Sequence, residues 1–236
     1  MRKKIHPEFR PALLAVRDEG PGMRTFRFAS WPDFAFSPGQ FLTFHFTDDS
    51  KTRRAYSICS SPSAAHEYFE VTVGMVGKFS DRLGGLKPGR EGKLVVRGPF
   101  GKWLWDGDGH AVLVSGGTGI APFRAMALIG KGKVTICYSA KTPECLLYKK
   151  EYDDWRQNGV EVNARVTQPG TDSNWTGQTG RWTAVDVFAA ANDAAAVYYL
   201  CGPAKMVQEL RGGLGRLGAA PENIKAAKWD DYTDLF

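Results

Sequence analysis

The sequence predicts a two-domain protein, an antiparallel β-barrel followed by an α/β domain built on a parallel sheet. Two observations carry this prediction. Short strands of alternating polarity fill the chain up to about residue 96, and apolar runs alternate with helical segments after residue 110. Between them, the Gly- and Asp-rich stretch WDGDGH is typical of a linker. We therefore expect the first domain over residues 1–107 and the second over residues 108–236.

The first domain is predicted to consist of antiparallel strands from residue 41 onward. Apolar and polar side chains alternate in FLTFHF, residues 41–46, and again in FEVTV, residues 69–73. A Lys-Pro-Gly turn at 87–89 precedes a further strand around 94–96. Many short strands separated by Gly and Pro indicate a small barrel or sandwich.

The second domain is predicted from apolar runs that alternate with helices. The continuous run AVLV, residues 111–114, is typical of a parallel strand that is covered on both faces. The other predicted elements are strands at 134–138, 160–162 and 197–201 and helices ending at 129, spanning 146–157 and following 203. This order is that of βαβ units in a parallel sheet.

Composition limits the classes of partner. The chain carries 31 Lys and Arg against 25 Asp and Glu, a formal net charge of +6, which permits an acidic partner without requiring one. It has no recognition-helix, zinc-finger or RNP signature, so nucleic acid is not expected as a partner. No apolar stretch approaches the ~20 residues of a membrane span, so membrane insertion is not expected either.

Cysteine and histidine usage argues against a resident metal site. The cysteines are isolated and form no C-x-x-C pair, which favours a reduced, cytoplasmic location. The histidines also lack ligand spacing and are expected at the surface or in packing positions. These residues are Cys59, Cys137, Cys145, Cys201, His6, His45, His66 and His110.

A glycine-rich loop follows the predicted strand 111–114. Gly116, Gly117 and Gly119 lack Cβ atoms, so the backbone there can approach a phosphate at the carboxyl edge of the sheet. Pro122 suits the first turn of the next helix because its missing N–H would be unpaired there. The spacing departs from G-x-G-x-x-G, so a dinucleotide site and a plain tight turn both remain open.

A second turn of small residues, Cys201-Gly202-Pro203, ends another predicted core strand. An isolated cysteine is more often a buried packing residue than a functional one. Two such turns at the ends of two strands of one sheet nevertheless favour a shared ligand.

The stretch RRAYSICSSP, residues 53–62, places a cation and an aromatic ring on one predicted strand. Arg54 offers a forked guanidinium to a diphosphate, and Tyr56, two residues along, presents its ring on the same face. Ser57 points to the opposite side unless the strand bends. The alternative is a strand with a solvent-reaching Arg and a core Tyr.

The segment GKFSDRL, residues 77–83, is predicted to begin a helix, with Ser80 as its N-cap. The free N–H groups of such a helix start can bind an anion. A plain capped helix without a ligand is the alternative.

Taken in order, five motifs resemble those of the ferredoxin-NADP reductase family of flavoproteins. They are RAYS at 54–57, GKFS at 77–80, GPFG at 98–101, GGTGIAP at 116–122 and CGP at 201–203. The resemblance covers almost the whole chain, and 77–83 is similar to bacterial ferredoxin and flavodoxin reductases. It implies a barrel that binds FAD, a second domain that binds NADPH or NADH, and a cleft where flavin and nicotinamide meet.

The resemblance assigns roles in the FAD site. It implies that Arg54 neutralises the diphosphate, that Tyr56 stacks on the isoalloxazine ring and that Ser57 hydrogen-bonds near flavin N5. The diphosphate would also be held from the segment 77–80. The implied FAD-binding residues are Arg54, Ala55, Tyr56, Ser57, Thr72, Val73, Gly77, Phe79, Ser80 and Trp229.

The resemblance also implies a nucleotide site, in which Thr118 and Gly119 cradle the diphosphate and Cys201 lies beside nicotinamide C4. Ser139 and Lys141 are candidates for a 2′-phosphate. The implied nucleotide-binding residues are Gly117, Thr118, Gly119, Pro122, Ser139, Lys141, Cys201, Gly202, Pro203 and Met206.

Two departures from the family pattern matter. The stretch Val166-Thr167-Gln168 lacks the arginine that grips a 2′-phosphate in plant-type members, so NADH stands beside NADPH as donor. The C-terminal pattern appears as Ala227-Lys228-Trp229, without the family's Glu, so that Trp229 covers the flavin but no carboxylate there relays a proton. Ser57, Cys201 and Trp229 are the residues implied at the reacting atoms, with Ser57 and Cys201 positioning rather than attacking.

The implied function is transfer of a hydride from NAD(P)H to FAD and of electrons onward to an acceptor protein, ferredoxin or flavodoxin. A free-flavin reductase and the reductase component of an oxygenase are alternatives within the same class. A noncatalytic electron-transfer subunit that retains the nucleotide cleft is the alternative from another class.

Overall fold

A computed structural model describes residues 8–89, 92–129, 132–171 and 174–227. Seven strands lie before residue 101 and form two antiparallel sheets, in the orders β1-β7-β4-β5 and β2-β3-β6. They are β1 (Glu8–Phe9), β2 (Leu13–Gly20), β3 (Met23–Ala29), β4 (Phe41–Phe46), β5 (Asp49–Ser57), β6 (Tyr68–Gly74) and β7 (Leu94–Phe100). A short helix, α1 (Lys78–Gly84), follows β6. The predicted antiparallel first domain is confirmed.

Strands β1 to β3 lie outside the predicted strand region, which begins at residue 41. In β3, MRTFRFA, Phe26 and Phe28 are fully buried while Arg27 between them is partly exposed. This alternation is the usual mark of a half-buried strand. The arginines around it mask the signal in a simple count of apolar residues.

The chain crosses from one antiparallel sheet to the other at the end of β5. Ser57 pairs with Phe41 on β4, whereas the next residue, Ile58, forms a bridge with Val71 on β6. Ile58 and Val71 are both fully buried in the core shared by the two sheets. The backbone bend expected for Ser57 therefore exists, and it is the crossover between the sheets.

The second half of the chain forms a six-stranded parallel sheet in the order β11-β10-β9-β8-β12-β13. Its strands are β8 (His110–Gly116), β9 (Lys133–Ala140), β10 (Val160–Val166), β11 (Gln178–Thr179), β12 (Val197–Cys201) and β13 (Ile224–Ala226). Its helices are α2 (Ala121–Ala127), α3 (Tyr152–Gln157), α4 (Ala184–Ala191) and α5 (Ala204–Arg216). The predicted α/β domain with a parallel sheet is confirmed.

The helix predicted over 146–157 is wrong in its first half. Leu146 and Leu147 pack into the core without helical structure, and Tyr148 adopts a left-handed conformation with φ 58°. A 3-10 turn at Lys149–Glu151 then leads into α3. The segment stays extended because its apolar side chains fill the core and its tyrosine contacts the first domain.

The expected packing role of histidine holds for two residues. Burial, followed by the charge of Arg53, lowers the pKa of His45, and burial lowers the pKa of His110. The His110 ring lies 3.1 Å from an Asp193 carboxylate oxygen and 3.0 Å from the Thr135 hydroxyl. His6 lies outside the described residues.

Candidate functional site

A cavity of about 1000 Å³ opens where the barrel meets the parallel sheet. It is bounded by the end of β5, the end of β6, the start of α1 and the loop after β8. The implied FAD-binding residues that line it are Arg54, Ala55, Tyr56, Ser57, Thr72, Gly77, Phe79 and Ser80. Val73 does not line it, because its side chain is buried in the barrel core. Trp229 lies outside the described residues.

Arg54 presents an uncompensated cation to this cavity. Its side chain is exposed, and Nη1 donates a hydrogen bond to the carbonyl of its neighbour Arg53 at 2.8 Å. Among the described residues no carboxylate forms an ion pair with it. Arg82 differs, because it is paired with Asp48 at 2.6 Å. Arg54 is therefore free to bind an anion.

Tyr56 forms an aromatic wall of the cavity. Its ring packs edge-on against Phe44, with centroids 5.4 Å apart, and lies 6.3 Å from the ring of Phe79. Burial raises the pKa of Tyr56 to about 12, so its hydroxyl stays neutral at physiological pH. A ring fixed by two aromatic neighbours can cover a planar ligand with little loss of side-chain freedom.

Ser80 is not the N-cap of α1, as the sequence predicts. Gly77 occupies that position and Ser80 is the third helical residue. The Ser80 hydroxyl accepts hydrogen bonds from the backbone N–H groups of Val76 and Gly77, both at 3.0 Å, and donates to the Gly77 carbonyl at 2.8 Å. Ser80 therefore shapes the turn before the helix from within, and its hydroxyl hydrogen is already used there.

A second cavity of about 710 Å³ lies at the carboxyl edge of the parallel sheet. The implied nucleotide-binding residues that line it are Gly117, Ser139, Lys141, Pro203 and Met206. The lining residues that were not expected are mainly polar or charged. They include Thr167, Arg181, Trp182, Thr183, Lys205, Glu209 and Arg216. The balance of charge is positive, which suits a phosphate-bearing ligand.

Arg181 is the most informative of these additions. The sequence analysis looked for a phosphate-binding arginine directly after β10, where Gln168 stands. Arg181 instead lies in the loop before α4, and its backbone carbonyl accepts a hydrogen bond from Arg165 at 3.3 Å. The available signal was a cation beside Trp182, an aromatic residue that is 8% exposed and so fixes the loop to the sheet.

A single loop separates the two cavities. Gly117 lines the second cavity, while the next residue, Thr118, lines the first together with Ala121. The loop also touches the barrel, because a Cβ built on Gly74 would lie 3.7 Å from Thr118 Cγ2. Ligands in the two cavities would therefore meet across one or two residues.

Backbone-to-backbone packing fixes this loop. Gly119 lies directly against the backbone of Cys201 and Gly202, so that a Cβ atom at residue 119 would collide with the Cys201 carbonyl. A Cβ on Gly116 would lie 3.1 Å from Pro203 Cδ and 3.2 Å from Met206 Sδ. The two small-residue turns thus form one assembly, as expected for turns that share a ligand.

Cys201 supports this assembly from below. In the part of the chain that the structure describes it lines neither cavity, and its side chain is 1% exposed in the core that also contains Ile120 and Phe123. Burial raises the pKa of the Cys201 thiol to about 12, so it is not a thiolate nucleophile. Pro122 lies in the first turn of α2, as predicted.

The described residues hold no group of three or more His, Cys, Asp and Glu side chains that could bind a metal ion. In the same part of the chain, no helix combines the length and apolar composition needed to cross a membrane.

Two family models match the chain in the order of its two halves. Residues 15–105 match an oxidoreductase FAD-binding domain, and residues 113–212 match an oxidoreductase NAD-binding domain. The match places FAD with the first cavity's residues and the pyridine nucleotide with those of the second.

Curated relatives include one component protein of the Na(+)-translocating NADH-quinone reductase. The protein from Marinomonas sp. (strain MWYL1) is 32% identical over 161 residues, which are 63% of this chain and 39% of the relative. That from Yersinia enterocolitica is 27% identical over 197 residues, 73% of this chain and 48% of the relative. The chain thus spans less than half the length of these curated relatives.

Solved structures share the fold over nearly the whole chain. A ferredoxin reductase in carbazole 1,9a-dioxygenase is 26% identical with a TM-score of 0.79, covering 95% of this chain and 70% of that one. The Amycolatopsis cytochrome P450 reductase GcoB is 21% identical with a TM-score of 0.81, covering 95% and 71%. A ferredoxin NADP+ reductase from Neisseria gonorrhoeae is 19% identical with a TM-score of 0.75, covering 89% and 92%.

The residues present fit both groups. The first cavity offers FAD an unpaired guanidinium for its diphosphate, an aromatic wall for its ring and the hydroxyl of Ser57 at its inner corner. The second offers a nucleotide cations and a glycine backbone without side chains in the way. Neither donor set requires a metal.

Proposed function

Because the chain belongs to the ferredoxin reductase-like family of FAD- and NAD(P)H-dependent oxidoreductases, we propose that it passes electrons from the nucleotide through FAD to a separate redox protein. The observation that carries this proposal is the loop between the cavities, where Gly117 faces one ligand space and Thr118 the other. A donor and an acceptor on either side of so thin a partition can be brought to the ~3 to 3.5 Å that transfer needs.

Bound FAD supplies the redox chemistry itself, since it accepts two electrons as hydride and releases them singly or as a pair. The chain's residues bind and orient. Arg54 neutralises the diphosphate, Tyr56 holds the flavin ring against the barrel, and Ser57 offers its hydroxyl at the reacting edge. Gly119 and Cys201 keep the nucleotide loop in place, and the buried, neutral thiol adds no charge near the nicotinamide.

For the acceptor, we favour ferredoxin or flavodoxin. Support comes from the similarity to a ferredoxin reductase at 26% identity and from a complete set of diphosphate contacts, which favours bound FAD over a flavin that comes and goes as substrate. The test is NAD(P)H-driven reduction of cytochrome c with and without added ferredoxin or flavodoxin. Strict dependence on the added protein supports the proposal, whereas equal rates with free FMN alone would favour a flavin reductase.

A second candidate is the reductase component of an oxygenase. Two of the similar structures, the P450 reductase and the carbazole dioxygenase reductase, carry such names and each is covered by this chain over 70% or more of its length. Supplying the ferredoxin of an oxygenase system in the same assay separates the two candidates. A colourless protein that oxidises neither NADH nor NADPH would instead favour the noncatalytic role.

We also propose a cytoplasmic location. All four cysteines are free, and three of them are buried, which suits a reducing compartment.

Ser57→Ala is expected to slow flavin reduction more than it weakens FAD binding. Within the described ranges the Ser57 hydroxyl has no hydrogen-bond partner, although it lines the cavity at the crossover of the sheets. Its removal should lower the stopped-flow reduction rate by about tenfold, the effect of one lost charge-developing hydrogen bond. Ser50→Ala, on the same strand but away from the cavity, is the control. Reduction of the Ser57 variant at the wild-type rate would remove this assignment.

Arg181→Ala is expected to weaken the use of NADPH selectively. Lys141 and Arg181 flank the second cavity together with Arg216, and we propose that this positive edge accepts a 2′-phosphate. Loss of one charge-assisted contact should raise KM for NADPH by about tenfold or more and leave KM for NADH within about twofold. Arg211→Ala, on the exposed face of α5, is the matched control. Equal changes for both donors would contradict the assignment.

A further inference from the structure

A buried charged cluster joins the two halves of the molecule next to the FAD cavity. We call it the interdomain cluster. Its members are Glu70, Thr72, Arg124, Tyr148 and Glu151. None of its charged or hydrogen-bonding atoms is explained by the nucleotide contacts proposed above, apart from the position of Thr72 at the cavity wall.

Arg124 is the centre of the cluster. It lies on α2 and is only 7% exposed. Its Nη1 donates to a Glu70 carboxylate oxygen at 2.7 Å and to the Cys59 carbonyl at 2.9 Å. Its Nε and Nη2 donate to the two carboxylate oxygens of Glu151 at 2.7 Å and 3.0 Å. One guanidinium therefore ties a helix of the nucleotide half to two separate points of the barrel.

The charges of this cluster are matched. Burial by itself would raise the pKa of Glu70, but the charge and hydrogen bonds of Arg124, with those of Arg27, bring that pKa below its usual value. Arg27 Nε donates to the other Glu70 oxygen at 2.9 Å. The Glu70 carboxylate thus stays ionised and holds cations from both sides.

Tyr148 adds a second, uncharged tie. Its hydroxyl shares a hydrogen bond of 2.5 Å with the hydroxyl of Thr72, which is also bonded to Thr25 at 2.7 Å. Its ring lies 5.1 Å from the guanidinium carbon of Arg124. Its left-handed backbone, φ 58°, is unusual for a bulky residue and persists only where the surroundings hold it.

The cluster connects to the redox site through rigid elements. Arg124 lies one helical turn after Ala121, which lines the FAD cavity immediately beyond the loop of Thr118. Glu70 lies two residues before Thr72 on β6, on the same face of the strand. A shift of Arg124 relative to Glu70 would therefore move the nucleotide loop relative to the wall of the FAD cavity.

Buried ion pairs contribute little net stability, because desolvation offsets their attraction, but they fix geometry. Transfer between two bound ligands depends steeply on that geometry, with about a hundredfold loss for a misplacement of about 1 Å. We propose that Arg124, seconded by Tyr148, is a positioning residue that sets the distance between the nucleotide loop and the FAD cavity. This inference rests on the proposed transfer between the two cavities.

The test is Arg124→Lys in the FAD-loaded protein. Lysine keeps the charge but cannot reach Glu70, Glu151 and the Cys59 carbonyl at once. We expect FAD content and the Kd for the oxidised nucleotide to stay within about threefold, while flavin reduction at saturating NAD(P)H falls by about tenfold or more. Amide hydrogen exchange over residues 146–151 should rise, because the segment loses its anchor on the barrel.

Arg156→Lys is the matched control, since Arg156 is a helical arginine on α3 whose side chain is about half exposed and pairs with Asp153. It should change neither reduction nor exchange over 146–151. If Arg124→Lys does not fold, Tyr148→Phe, which removes only the hydroxyl bonded to Thr72, is expected to give a smaller fall in rate in the same direction.

Wild-type reduction rates in both variants would overturn the inference, even if exchange rises. A fall in rate matched by an equal loss of nucleotide affinity would overturn it as well, because it would mark a binding role. Failure of the wild-type protein to be reduced at all is a different result, and it would contradict the proposed function.

Discussion

Gly119→Ala is expected to slow flavin reduction by either pyridine nucleotide at least about hundredfold while the protein keeps its FAD. The added Cβ would collide with the Cys201 carbonyl, which is backbone and cannot rotate away, so the nucleotide loop or the turn after β12 must move. FAD is held by the barrel side of the first cavity, which the substitution does not touch. Stopped-flow reduction and FAD content per chain measure the two effects separately.

Gly215→Ala is the control for this prediction. Gly215 lies on the exposed side of α5, and nothing lies within 4 Å of a Cβ built there. Alanine is favoured over glycine within a helix by about 1 kcal/mol, so the control should be at least as stable as the wild type and equally active. Wild-type reduction by Gly119→Ala would show that the loop does not depend on this contact.

Arg54→Gln is expected to weaken FAD binding by about 10- to 100-fold, the range for one lost charge-assisted hydrogen bond to a phosphate. Arg54 lines the first cavity with no carboxylate partner in the described part of the chain, so its charge is available to a bound diphosphate. The variant should lose FAD on gel filtration, and added FAD should restore its rate of reduction. The Kd from fluorescence titration of the apoprotein gives the size of the effect.

Arg53→Gln provides the comparison, because Arg53 is the preceding residue but does not line the cavity. Its Nε donates to the Ser50 carbonyl at 3.2 Å within the same hairpin. FAD affinity should therefore stay within about twofold, as for a surface substitution. Equal losses of FAD in the Arg53 and Arg54 variants would indicate a general effect of charge rather than a contact.

The sequence is most informative where a site is built from local motifs. Strand ends, the glycine loop of 116–119 and the Cys201-Gly202-Pro203 turn each combine a predictable element with a small-residue turn, and the structure packs them together. Parallel strands bring their carboxyl ends to one edge, so motifs far apart in the chain converge without any long-range information.

Features that depend on tertiary structure escape this reasoning. Ser57 reaches the cavity only because the chain changes sheets after it, and Val73 does not reach it because its side chain faces the core. The pairing of Arg124 with Glu70 spans 54 residues and two domains. An arginine within the apolar stretch APFRAMA was the available signal, but its partner could not be chosen among 25 acidic residues.

The most direct measurement is anaerobic titration of the FAD-loaded protein with NADPH and, separately, with NADH, following the visible flavin absorbance. The loop shared by the two cavities predicts that about one equivalent of at least one donor bleaches the band, and that ferredoxin or flavodoxin then restores it. A flavin band that neither nucleotide changes would contradict the central claim that the two cavities bring donor and flavin together.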